Sequence, residues 1–238
     1  MASSPKPSME TSHVRTKERV ANHGEVLTGP REVNAMLDLV KQETERIESR
    51  FLEPACGDGN FLTVILQRKL AVVEKRYGRS QRDFERYAVL AVSSIYGIDI
   101  LPDNVRDCRR RLFEIFDVSY TRLFKANAKD KCRESVRFIL ERNIIWGDAL
   151  TLRTVGEGPG HIVFSEWSPI NGSMLKRRDF TFSELLRHED AMQAPLFPGL
   201  DTEEQLPLFS DLGEHVFIPS PVREYPPIHF LEIARAGE

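Results

Sequence analysis

Apolar residues fall along the chain in two alternating rhythms. Val33, Met36, Leu37, Val40 and Ile47 recur at helical spacing after Thr28-Gly29-Pro30, where Pro30 suits a first helical position. The short run Phe51-Leu52 reads as a strand that enters the turn Glu53-Pro54-Ala55-Cys56-Gly57-Asp58-Gly59-Asn60. Phe61, Leu62, Ile65, Leu66 and Val73 return to the helical period, and a further helical stretch runs around Phe84 to Ala91. Ile95-Tyr96-Gly97-Ile98-Asp99 predicts a second strand. Pro102 opens a helix with Val105, Leu112, Phe113 and Phe116 as its buried stripe and Arg109, Arg110 and Arg111 on its other face. A helix near Ser135 to Leu140 precedes a third strand, Asn143-Ile144-Ile145-Trp146, ending at Gly147-Asp148. A fourth, Ile162-Val163-Phe164, follows a Gly/Pro-rich turn. Strands alternating with helices predict an α/β fold with a mostly parallel sheet.

The pattern changes on either side of this block. Residues 1–20 are polar and predict a loose arm, with the folded domain over residues 21–165. From about residue 166 a basic loop and an extended tail are expected. Residues 188–222 hold no Lys or Arg and seven acids, and prolines at 195, 198, 207, 219 and 221 break any long element. One more strand is legible near Val216-Phe217-Ile218.

Composition excludes some classes. No apolar run reaches the roughly 18 residues of a membrane span, and the N-terminus has no apolar core of a secretory signal. The three cysteines (Cys56, Cys108, Cys132) form no CxxC pair, which predicts reduced thiols, no metal site and a cytoplasmic protein. A net charge of −3 gives no general attraction to nucleic acid, so DNA contact would need a local patch. Lys176-Arg177-Arg178, beside Asn171-Gly172-Ser173, is the candidate, and a solvated loop is the alternative.

The turn after the first strand carries the first chemistry. Gly57 and Gly59 let the backbone bend sharply and approach a ligand. Asp58 inside the turn would repel phosphate and suits a ligand with a cationic end. Asp99 closes the second strand, where a carboxylate can accept ribose hydroxyls, and Asp148 closes the third, where it can accept from an amino group. Open α/β sheets receive ligands at the carboxyl ends of their strands, so these acids should converge.

As a set, the motifs resemble those of adenine-specific DNA methyltransferases, the M subunits of restriction–modification systems. EPACGDGNFL resembles the family's first motif, GIDILPDNV its second and NIIWGDAL its third, and HGEVLTGP followed by VNAMLDLV resembles its N-terminal cofactor motif. The resemblance covers roughly residues 20–165. It implies a Rossmann-like fold that binds S-adenosylmethionine (SAM), in a shortened form. Thr28, Glu53, Ala55 and Gly57 would line the methionine end of SAM beside Asp58 and Gly59. Asp99 would hold the ribose, Ile100 would pack on the adenine, and Asp148 would bind its amino group. The family's catalytic motif, N/D/S-P-P-Y/F/W, follows its fourth strand and acts on a base flipped out of the duplex. Ser168-Pro169 matches two of its positions, Ile170 and Asn171 depart from it, and Trp167 offers a stacking face. The implied activity is methylation of the adenine N6 amino group in DNA. The alternative is a catalytically inactive, SAM-binding subunit that acts through a partner protein. Gln205-Leu206-Pro207-Leu208-Phe209 also resembles the peptide by which bacterial proteins dock on the replication sliding clamp; the same residues could instead cover the chain's own sheet.

Overall fold

The computed structural model describes residues 28–156, 158–193 and 219–237. Helix α1 (Pro30–Asp38) begins at Pro30, whose fixed φ is already helical, and buries Val33 and Leu37. The periodic run through Val40 and Ile47 does not extend this helix. The chain breaks at Leu39 and Val40 and re-enters a four-residue helix, α2 (Lys41–Thr44). Met36, Leu39 and Val40 therefore face solvent, while Ile47 is buried.

Three strands, β1 (Phe51–Glu53), β2 (Ile95–Asp99) and β3 (Ile144–Asp148), pair in parallel in that order. Glu53 lies opposite Gly97, and Asp99 opposite Trp146. Helices α3 (Asn60–Tyr77) and α4 (Gln81–Ser93) connect the first pair; α5 (Pro102–Phe124) and α6 (Asp130–Asn143) connect the second. Strand side chains alternate between faces. Ile95 and Ile144 thus join the helical core with Leu66, Phe84, Val92, Leu112, Phe116 and Ile139, whereas Tyr96 and Ile98 point the other way. A two-residue strand, β4 (Arg153–Thr154), lies antiparallel to β3 and completes a mixed four-stranded sheet.

The expected fourth parallel strand takes another form. Strand β5 (Val163–Pro169) continues well past Phe164 and turns back into β6 (Met174–Thr181), with every residue of β5 paired antiparallel. Asn171-Gly172 makes the turn, with Gly172 at φ 54° and the Ile170 amide donating to the Met174 carbonyl at 3.1 Å. Strands β7 (Arg223–Glu224) and β8 (Ile228–His229) add to β6, forming a second, antiparallel sheet.

Contacts fix the direction of β5 across the first sheet. Ile162, just before the strand, donates its amide to the Leu152 carbonyl and crowds Gly147 near the carboxyl end of β3. Phe164 packs edge-on against Tyr96, and the Tyr96 hydroxyl donates to the Ser165 carbonyl at 3.3 Å. Glu166 pairs with Arg50, just before β1. The strand therefore runs from the carboxyl ends toward the amino ends.

This arrangement corrects the domain boundaries expected from sequence. A boundary at residue 165 would cut β5 in two, and residues 166–193 and 219–237 are built into the fold. Phe182, Leu185 and Leu186 of helix α7 (Phe182–Gln193) pack on Tyr96, Ile98 and Phe164. Trp167, Leu175, Phe230 and Ile233 join the helical core. The N-terminal arm, the strand near Val216 and the Gln205–Phe209 peptide lie outside the described residues. Among the described residues no helix is long and apolar enough to cross a membrane.

Candidate cofactor site

The turn between β1 and α3 is built on two glycines in left-handed conformations, Gly57 at φ 54° and Gly59 at φ 91°. A Cβ on Gly59 would lie 2.7 Å from the Cys108 sulfur of α5, so the turn is pressed against that helix. The Cys56 amide donates to the Ile98 carbonyl at 2.9 Å, which holds the turn beside β2. The Cys56 thiol donates to the Gly57 carbonyl at 3.6 Å, and the neighbouring Cys108 thiol and burial push its pKa up, so it stays protonated. All three cysteines are free and buried.

The next contact joins two of the sequence motifs. The Gly57 amide donates to Asp99 Oδ2 at 2.8 Å. Asp99 Oδ1 accepts from the Leu101 amide at 2.9 Å and from Asn104 Nδ2 at 3.2 Å. A carboxylate offers about four lone-pair positions, so three are engaged within the protein. Asp99 is therefore a strut between two strand ends.

Asp58 has a charged partner within the protein. Arg111 of α5 pairs with its carboxylate at 2.8 Å, so the acid faces a cation of the protein itself. Asn60 Nδ2 donates to the Thr28 carbonyl at 3.3 Å, bringing the N-terminal motif to the turn. Glu53 ends β1 half-buried, and burial raises its carboxyl pKa above the ordinary value. Ala55 and Ile100 are exposed beside these groups. The Trp146 indole N–H donates to the Ile100 carbonyl at 2.9 Å, placing an aromatic ring from β3 at the end of β2. Asp148 closes β3, but its carboxylate accepts from its own turn, from the Leu150 amide at 2.9 Å and the Thr151 hydroxyl at 3.0 Å. Those bonds hold its pKa below the ordinary value.

Thr28, Glu53, Ala55, Gly57, Asp58, Gly59, Asp99 and Ile100 thus gather around the ends of β1 and β2, with Asp148 on the next strand. Ser168 and Pro169 do not join them. They lie near the far end of β5, where Ser168 donates to Glu166 at 3.0 Å. Trp167 is buried against Phe138 of α6 and offers no open stacking face.

The three basic residues sit on β6, not in a loop. Alternation sends Arg177 inward, 7% exposed, where it forms two hydrogen bonds to Asp179 at 2.7 and 2.8 Å. Ser165 and Tyr225 also donate to that carboxylate. Lys176 pairs with Glu224 and Arg178 with Glu166 on the outer face.

Arg111 was not singled out by sequence. Successive helical residues are turned by about 100°, so Arg109, Arg110 and Arg111 cannot share one face. Arg109 donates to the Ile144 carbonyl, Arg110 pairs with Glu114 at the surface, and Arg111 reaches the glycine turn. Behind Arg111, a groove of about 430 Å³ between α3 and α5 is lined by Thr63, Gln67, Ile115 and Val118. Among the described residues no cluster of His, Cys, Asp or Glu is arranged to hold a metal ion. No family model, curated protein or solved structure matches the chain.

Proposed function

We propose that the chain binds SAM at the carboxyl ends of β1, β2 and β3, as a Rossmann-like methyltransferase unit acting on the adenine N6 amino group of DNA. The observation that carries this reading is the bond from the Gly57 amide to Asp99. It ties the first motif to the second at the edge where open α/β sheets receive ligands. The surrounding residues fit a nucleoside cofactor with a charged amino-acid end. Asp99 keeps an acceptor position for a ribose hydroxyl, Ile100 gives an exposed apolar surface beside Trp146, and Glu53 offers a carboxyl next to the turn. SAM supplies an electrophilic methyl group on a sulfonium. The reading makes the protein cytoplasmic and DNA-contacting, with Lys176 and Arg178 as the cations that remain on the surface.

One observation favours a second reading, a SAM-binding subunit without its own methyl transfer. Ser168 and Pro169 stand at the opposite end of the sheet from Asp99, and Trp167 is buried. On this reading the groups that receive the adenine come from a partner subunit.

Calorimetric titration with SAM, followed by transfer of labelled methyl from SAM to duplex DNA, separates the two. Binding with transfer supports the first reading, and binding without transfer the second. Absence of binding overturns both.

A further inference from the structure

Arg111 and Cys108 are three residues apart on α5, about one helical turn, and both reach the same glycine turn. The Cys108 sulfur fills the space beneath Gly59. Arg111 Nη1 donates to the Asp58 carbonyl at 2.8 Å and to Asn60 Oδ1 at 3.0 Å, and it pairs with the Asp58 carboxylate at 2.8 Å. These contacts bracket Gly59, the residue in the most demanding conformation of the turn, at φ 91°. Because Asn60 Oδ1 accepts from Arg111, its Nδ2 is directed at the Thr28 carbonyl. A single guanidinium nitrogen thus sets the path of the turn and, through Asn60, the seat of Thr28.

We propose that Arg111 is a positioning residue for the ligand-binding turn. Its charge balances Asp58, and its hydrogen bonds hold the backbone so that the Gly57 amide stays on Asp99. A turn held this way is formed before the ligand arrives, so binding does not have to order it. The inference rests on the SAM reading for its ligand, while the effect on the turn is independent of it.

The test uses the full chain with Arg111→Met and Arg111→Lys. Amide hydrogen exchange is followed without ligand at residues 57–60 and, as a control, at Ile139 and Leu140 of α6. Exchange at the turn should rise at least ~10-fold in Arg111→Met with α6 unchanged, because local opening reports local contacts. The Kd for SAM should rise ~10- to 100-fold, in keeping with the loss of charge-assisted hydrogen bonds. Arg111→Lys should bring both values back to within ~5-fold of the wild type, since the contacts converge on one nitrogen and an ammonium carries three donors. Unchanged exchange at the turn overturns the proposal. So does acceleration that spreads equally to α6, which would mark a general stabiliser, or a lysine variant no better than methionine. If the wild type does not bind SAM, the cofactor reading falls, and the exchange comparison still decides the role of Arg111.

Discussion

The amide of Gly57 donates to the carboxylate of Asp99 across 42 positions of sequence, at 2.8 Å. The same carboxylate also receives the Leu101 amide and Asn104, so one side chain gathers donors from the turn, the strand end and the next helix. Asp99→Ala should lower stability by about 2–3 kcal/mol, because half-buried donors lose a charged acceptor. It should also weaken SAM binding by at least about tenfold. Asp99→Asn keeps one acceptor oxygen and should fall between. Urea melts and calorimetry read the two effects separately, and an Asp99→Ala protein as stable as wild type would count against the strut.

Gly59 is confined twice, by its φ of 91° and by the Cys108 sulfur 2.7 Å from where a Cβ would stand. Gly59→Ala should destabilise by about 1–3 kcal/mol from the backbone alone, with a steric contribution on top. Adding Cys108→Ala should recover the steric part and leave the backbone part. Thermal melts of the four proteins in a double-mutant cycle measure this coupling. Strictly additive effects would mean that the sulfur does not constrain the turn.

Lys69 is fully buried in α3 and donates to the Ile47 carbonyl at 3.1 Å, the Ser94 hydroxyl at 2.5 Å and the Ser49 carbonyl. Burial pulls its pKa down from 10.5 to about 7. The unfolded chain therefore holds the proton over a range where the folded chain has lost it. Taken alone, Lys69 makes stability rise with pH from about 7 toward 10.5, by up to about 1.4 kcal/mol per pH unit, while the raised thiols of Cys56 and Cys132 work in the opposite direction near the upper end. Denaturant melts of the wild type and Lys69→Met across this range should diverge, with the wild type gaining relative to the variant as pH rises, because the buried thiols and tyrosines contribute equally to both. Lys69→Met should itself be less stable by about 1–3 kcal/mol, since buried carbonyls lose their donor. Parallel pH profiles would contradict the assignment.

Arg177 and Asp179 form a buried pair on β6. Arg177→Ala leaves Asp179 buried with its charge unbalanced and should cost about 3–5 kcal/mol. Lys176→Ala breaks a solvent-facing pair with Glu224 and should cost less than about 1 kcal/mol. Retention on immobilised DNA should weaken in Lys176→Ala at unchanged Tm. If Arg177→Ala proves as mild as Lys176→Ala, the inner face of β6 is not the dry environment it resembles.

Local pattern made the central elements legible. Apolar period and acidic strand ends located α3, β2 and β3 closely, because parallel strands buried on both faces carry continuous apolar runs. The order of the acid-tipped strands also located Asp99 and its neighbours. What local pattern does not encode is the partner. The run through Val163 and Phe164 is the same whether its neighbour lies parallel or antiparallel, and only Asn171-Gly172 hints at a hairpin. The basic triplet looked like a loop because three like charges were counted together, although a strand sends alternate residues to opposite faces. Lys69 was invisible as a core residue. Its acceptors, the carbonyls of Ile47 and Ser49, lie 22 and 20 positions earlier.

Because β5 departs from the carboxyl ends of the first sheet, the hairpin serves as a buttress rather than a lid. It clamps the flank of the sheet through Phe164, Trp167 and the buried Arg177–Asp179 pair, and leaves the ends that gather Gly57, Asp99 and Ile100 to loops and helix starts. Sequence drift at Ser168 to Asn171 would then alter how the protein is held together without altering what it holds.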